Sequence, residues 1–172
     1  TAFSAATESG KVIQILREYY DAVGAAAVSV GGTIKDQAGD GVLILVGAPI
    51  RFEDHAQRAL ALARKIRESG VTLTARWSDG DLQLGLGVGV ASGFVSVGVI
   101  GTASRLEYAA VGSTVNLASR LCSEAAHAEV LVDARTVELV GAERSDGELV
   151  SSVPRKLKGF SHPVPSYFLA PV

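Results

Sequence analysis

The stretch Glu107 to Glu124, EYAAVGSTVNLASRLCSE, constrains the fold of this chain more than any other. Tyr108 to Val111 is predicted as a short strand, Gly112 as the turn and Ser113 as the N-cap of a helix. Along that helix Val115, Ala118 and Leu121 recur every third residue and are expected to face a core. Asn116 and Arg120 are four apart, so they lie one above the other on a second face. A carboxamide and a guanidinium stacked in this way form a donor array suited to an anionic oxygen or a phosphate on which charge develops. On spacing alone the commoner use is a solvated face on which Arg120 pairs with Glu124 one turn on.

A length of 172 residues suits one domain with a sizeable core, and 48% hydrophobic residues exclude a disordered chain. Sixteen basic and eighteen acidic residues leave a net charge of −2 with no basic tract, so the sequence offers no footprint for nucleic acid. No apolar run reaches the ~18 residues of a membrane span, and no membrane contact is expected. The one cysteine, Cys122, has no partner for an internal disulfide, which fits a cytoplasmic protein. The chain opens on Thr1 and holds no methionine, as expected of a processed chain or a piece of a longer one.

Read in order, Val12, Ile13, Leu16, Tyr19, Tyr20 and Val23 give a helical stripe after a Ser9 cap. Thr33–Gln37 and Val42–Val46 are predicted as a hairpin closed by Ala38-Gly39-Asp40-Gly41, and VLILV reads as a strand buried on both faces. A helix capped by Asp54 follows and is expected to end at Gly70; Val71 to Asp81 reads as a polar connection that leaves Trp77 without a role. Leu82 to Ser92 is predicted as one long strand with Leu84, Leu86, Val88 and Val90 on one face. Gly85, Gly87 and Gly89 on the other face allow a close backbone approach. Those glycines are not a dinucleotide fingerprint, because no helix opens after them. Glu129–Val132, a capped helix from Asp133 to Gly141, and a hairpin of Val150–Val153 with Ser166–Leu169 complete the order. Mixed strands with helices on one side make an α+β sandwich, broadly ferredoxin-like.

Three blocks, GGTIKDQAGDGVLILVG at 31–47, LGVGVASGFVSVGVIG at 86–101 and EYAAVGSTVNLASRL at 107–121, resemble the class III adenylyl/guanylyl cyclase catalytic domain. The opening TAFS and the segment LKGFSHPVPSYFL at 157–169 resemble its first helix-entry loop and its C-terminal hairpin. The resemblance runs through nearly the whole chain in the right order. It implies the class III cyclase fold, here without its first strand, in one catalytic domain over residues 1–172 that is incomplete at its N-terminus. It implies a head-to-tail homodimer with shared sites that turns ATP or GTP into the 3′,5′-cyclic nucleotide and pyrophosphate for intracellular signalling. It also implies two Mg²⁺ or Mn²⁺ ions and a covalently attached regulatory domain upstream. By the same resemblance Asp40 is a metal ligand, Arg120 the transition-state arginine and Asn116 the residue that orients the ribose. Thr1, Phe3 and Lys158 contact phosphates.

Departures from the family pattern are as informative. Its other metal aspartate falls before Thr1, and its second phosphate-binding arginine falls on Gly87. The base-reading positions hold Asp36 and Ala109. A carboxylate at Asp36 suits the adjacent N–H donors of guanine, with Lys35 expected on the opposite face of the strand. The alternative to an active cyclase is a catalytically degenerate module that dimerises or binds nucleotide for regulation.

Overall fold

The computed structural model describes residues 9–78, 83–102, 104–141 and 149–170. Its elements in chain order are α1 (Ser9–Ser29), β1 (Thr33–Ala38), β2 (Gly41–Leu45), α2 (His55–Trp77), β3 (Val88–Val90) and β4 (Ser96–Thr102). Then follow β5 (Arg105–Val111), α3 (Ser113–Glu124), β6 (Val130–Asp133), α4 (Ala134–Val140), β7 (Leu149–Ser151) and β8 (Ser166–Leu169).

The densest packing surrounds β6. Val130, Leu131 and Val132 are at most 1% exposed, and the two-residue period of a strand divides them between faces. Val130 and Val132 pack with Ala56, Leu60 and Ala63 of α2 and Val140 of α4. Leu131 turns the other way, onto Leu121 of α3 and Leu157. Helices therefore cover both faces of the sheet, where the sequence order implied one. The sheet runs β3-β6-β8-β7, with β3 parallel to β6 and the other pairs antiparallel. Two hairpins, β1–β2 and β4–β5, pair only within themselves among the described residues. A second cluster joins α1 to α2 through Val23, Ala27, Val30, Leu62 and Ile66, with Ile34, Val42 and Ile44 of the first hairpin against it.

Several expectations are corrected. α2 does not end at Gly70 but runs on to Trp77, so the polar connection is largely helix. Gly70 is there because Leu86 seats on it: a Cβ would lie 2.8 Å from a Leu86 methyl. Trp77 gains a role, its indole N–H donating to Glu18 of α1 at 3.0 Å. The long strand shrinks to Val88–Val90, because among the described residues only those find a ladder partner, in Val130–Val132. β2 is not buried on both faces; only Leu45 is buried, the rest of its apolar run being half-exposed. Ser113 is the first helical residue and Gly112 the N-cap, with no side-chain cap hydrogen bond. Tyr108–Val111 is the end of a longer strand, β5, whose partner β4 the sequence reading did not foresee.

The glycine face is occupied from within the chain. A Cβ at Gly89 would lie 2.3 Å from both Ala118 O and Cys122 N, and one at Gly87 would lie 2.7 Å from Ala125 O. Gly89 lets α3 rest on the backbone of β3, and Gly87 lets the helix's C-cap, Ala125, rest on the residue before that strand. The close backbone approach expected there is made by this helix. Gly87 also has no room for the arginine that the family pattern puts at its position.

Candidate active site

Asp40 sits at the tip of the first hairpin, where Gly39 takes the left-handed conformation (φ 65°) and Ala38 pairs with Gly41. The Tyr20 hydroxyl of α1 donates to Gly39 O, so the helix holds the tip. Asp40 is exposed, and with Asp36 and Asn116 it lines one cavity of about 1010 Å³. The inner walls of that cavity are β2 and β3. Among the described residues each strand pairs along one edge only, β2 with β1 and β3 with β6, and both line the cavity.

Electrostatics tie the cavity's walls together. Burial pushes the Tyr19 phenol up to about 12, with Cys122, Tyr20 and Asp40 adding to it. Burial also pushes the Cys122 thiol up, against a backbone hydrogen bond from Gly89 and with Asp40 adding. The Asp40 charge is thus felt by a side chain on α1 and one on α3, on either side of the cavity. Sequence reading missed both Tyr19 and Cys122. They lie about a hundred positions apart, and nothing local joins them.

The other predicted residues distribute as follows. Asp36 also borders a smaller cavity of about 260 Å³ with Ile34, Lys35, Glu107 and Tyr108, next to Ala109 on β5. Ala109 is half-buried opposite Gly98 of β4. Lys35 does not point away from Asp36: the β1–β2 register slips between Ile34 and Asp36, and Lys35 Nζ lies 3.8 Å from the Asp36 carboxylate. Arg120 is half-buried on α3 and makes no ion pair with Glu124 among the described residues. Lys158 is exposed in a turn with Gly159 (φ 90°), outside the cavity wall. Thr1 and Phe3 lie outside the described residues. The structure therefore joins Asp36, Asp40 and Asn116 around one space and leaves Arg120 and Lys158 off its wall.

Residues 1–171 match the adenylate and guanylate cyclase catalytic domain family. The chain belongs to that family. The cyclase domain superposes on the crystal structure of the guanylyl cyclase Cya2 with a TM-score of 0.86 and 29% identity, covering 99% of this chain and 86% of that one. It superposes equally well, at 0.86 and 28% identity, on the adenylyl cyclase CyaB from P. aeruginosa, covering 98% and 87%. Adenylate cyclase 1 of Rhizobium meliloti is 32% identical over 70% of this chain and 18% of its own length. An uncharacterised protein of Mycobacterium tuberculosis, MT1361, is 32% identical over 88% of this chain and 26% of its own. The chain thus spans about a quarter or less of these two relatives. Within the cyclase domain no helix among the described residues is long and apolar enough to cross a membrane. The mixed α+β architecture is that of the class III cyclase structures.

Proposed function

We propose that this cyclase domain converts ATP or GTP to the 3′,5′-cyclic nucleotide and pyrophosphate, at sites shared across a homodimer, in cytoplasmic signalling. The observation that carries the reading is Asp40 held at the exposed tip of the first hairpin, with Asp36 of the same hairpin beside Ala109, in a chain of this family. In the reaction the ribose 3′-oxygen bonds to the α-phosphorus in line as the bond to the β-phosphate oxygen breaks and the hydroxyl loses its proton. Charge grows on the phosphoryl oxygens, and a guanidinium at Arg120 answers it; Asn116 fixes the ribose. Asp36 and the small space beside Ala109 receive the purine, and Thr1, Phe3 and Lys158 the phosphates.

Asp40 offers an oxygen ligand of the kind Mg²⁺ or Mn²⁺ takes, and such ions are held by one or two carboxylates together with substrate phosphates. No group of three or more ligating side chains gathers among the described residues, and on this reading Asp40 is one member of a set completed elsewhere. Bound ions would lower the charge of the triphosphate and help activate the 3′-hydroxyl. The companion carboxylate belongs, on this reading, to an extended segment upstream of Thr1. The open edges of β2 and β3 support this, since a strand laid between them would find backbone partners on both sides. A homodimer is supported by the β4–β5 hairpin, whose Val99, Ile100, Leu106 and Val111 are each at least 60% exposed. A regulatory domain upstream accords with the greater length of the relatives.

The test is cyclic nucleotide formation from ATP and from GTP with Mn²⁺, by the chain extended upstream. Product is expected, Asp40→Ala should abolish it, and Arg120→Ala should lower kcat about a hundredfold or more with a small change in KM. An extended parent that binds nucleotide but yields no product would instead establish the degenerate module. The lack of a polar partner at Ala109 favours that second reading.

A further inference from the structure

Helix α3 presents Asn116 and Arg120 yet has no side-chain cap of its own, its N-cap being Gly112. Its first turn is located instead by the segment Ala91–Val95 that leaves β3. Thr114 Oγ1 donates to Phe94 O at 3.2 Å, and the Gly112 α-carbon packs so closely that a Cβ would meet Phe94 O at 3.1 Å. On the far side, a Cβ on Gly93 would stand 2.5 Å from Thr114 Oγ1. The segment therefore has no slack against α3.

The same segment is gripped from behind by a buried carboxylate. Asp133 ends β6 and is 4% exposed. Its Oδ1 accepts from Ser92 N at 3.2 Å, from Thr136 N at 3.0 Å, and from the Thr136 hydroxyl. The Thr136 and Ser92 hydroxyl oxygens are hydrogen-bonded at 2.7 Å, and Thr136 is fully buried. One oxygen thus caps α4 and at the same time anchors the backbone of Ser92, 41 positions earlier. An apolar residue at Asp133 would strand two buried donors; a plain N-cap needs only one of the three bonds.

We propose that Asp133 is a positioning residue for α3. Its carboxylate, through the Ala91–Val95 segment, sets where the helix bearing Asn116 and Arg120 begins. The link from helix placement to turnover rests on the cyclase reading above; the link from Asp133 to α3 does not.

Two variants separate this role from folding. Asp133→Ser keeps an N-cap for Thr136 but is too short to reach Ser92. Thr114→Val cuts the chain of contacts at its other end and leaves the buried cluster alone. In the full-length protein, amide hydrogen exchange at Asn116 to Ala118 is expected to rise at least tenfold in both variants. Exchange at Val137 to Val140 of α4 should stay within twofold. In cyclase assays both variants should lose about tenfold in kcat with KM within twofold, since helix placement is felt at the reacting centre. Unchanged exchange in α3 overturns the proposal, as does faster exchange in α3 and α4 alike, which marks a purely structural cap. Faster exchange confined to α3 with unchanged kcat overturns its catalytic half. A parent with no cyclase activity speaks against the cyclase reading, and exchange then decides the placement of α3 by itself.

Discussion

The strand β6 and the strand β2 are both runs of branched apolar residues, and they end in opposite circumstances. VLV of β6 is at most 1% exposed, because β3 and β8 take both of its edges and helices take both of its faces. GVLIL of β2 has β1 on one edge and the large cavity on the other, and only Leu45 is buried. The difference is one of partners and not of composition. It separates a closed region that supplies stability from an open region that carries the acidic groups, with α3 lying across both.

The largest effect should come from closing the gap between those regions. Gly89→Val puts a side chain where backbone atoms already stand 2.3 Å from a Cβ, and should destabilise by about 4 kcal/mol or more, or abolish cooperative unfolding. Gly98→Val, with nothing within 4 Å, should leave the denaturation midpoint nearly unchanged. Equal effects would dissolve the distinction. Next, Leu131→Ala should cost about 3–4 kcal/mol in urea unfolding, as expected for a fully buried leucine. Ile44→Ala, on the half-exposed strand, should cost about half as much.

A smaller effect is expected at the base. The Asp36 side chain is 58% exposed, so Asp36→Lys should not alter stability. In an active extended chain it should shift the ratio of kcat/KM for GTP over ATP toward ATP by about tenfold. An unmoved ratio would remove Asp36 from the purine site. The smallest effect is a pH dependence. Tyr19 has its folded value raised above that of an unfolded tyrosine, so the stability it contributes is complete below about pH 10. That contribution is lost as pH rises through about 12. Unfolding free energies between pH 9 and 12 should therefore fall more steeply in the parent than in Tyr19→Phe.

What the sequence made legible was local. The strand–turn–helix at 108–124, the Gly39–Asp40 turn and the Asp133 cap follow from residue types at short spacing, and the structure has all three. The errors arise where a distant group decides. Gly70 reads as a helix terminator until Leu86 is known to sit on it. Lys35 reads as alternating with Asp36 until the register slip turns it back. The β4–β5 hairpin was missed because its strands are largely exposed and lack the one-sided alternation of a half-buried strand. Of the candidate site, Asp36 and Asp40 were nameable from the resemblance, and Asn116 from its spacing to Arg120 as well. Their gathering on one cavity, and the effect of the Asp40 charge on Tyr19 and Cys122, needed the fold.

A free strand edge is also a template. Val42 to Val46 is an uncharged, proline-free apolar run, and its outer row of backbone donors and acceptors has no ladder partner among the described residues. Such an edge recruits strands from other molecules, and the usual guards against that are charges set into the edge or a covering element. Here the nearby charges, Lys35 and Asp36, sit on β1 across the paired edge and Asp40 sits at the hairpin's tip, so no charge is set into the free edge itself. Solubility of this stretch is therefore bound up with whatever pairs along β2, and a preparation in which nothing does should form β-rich aggregates at high concentration.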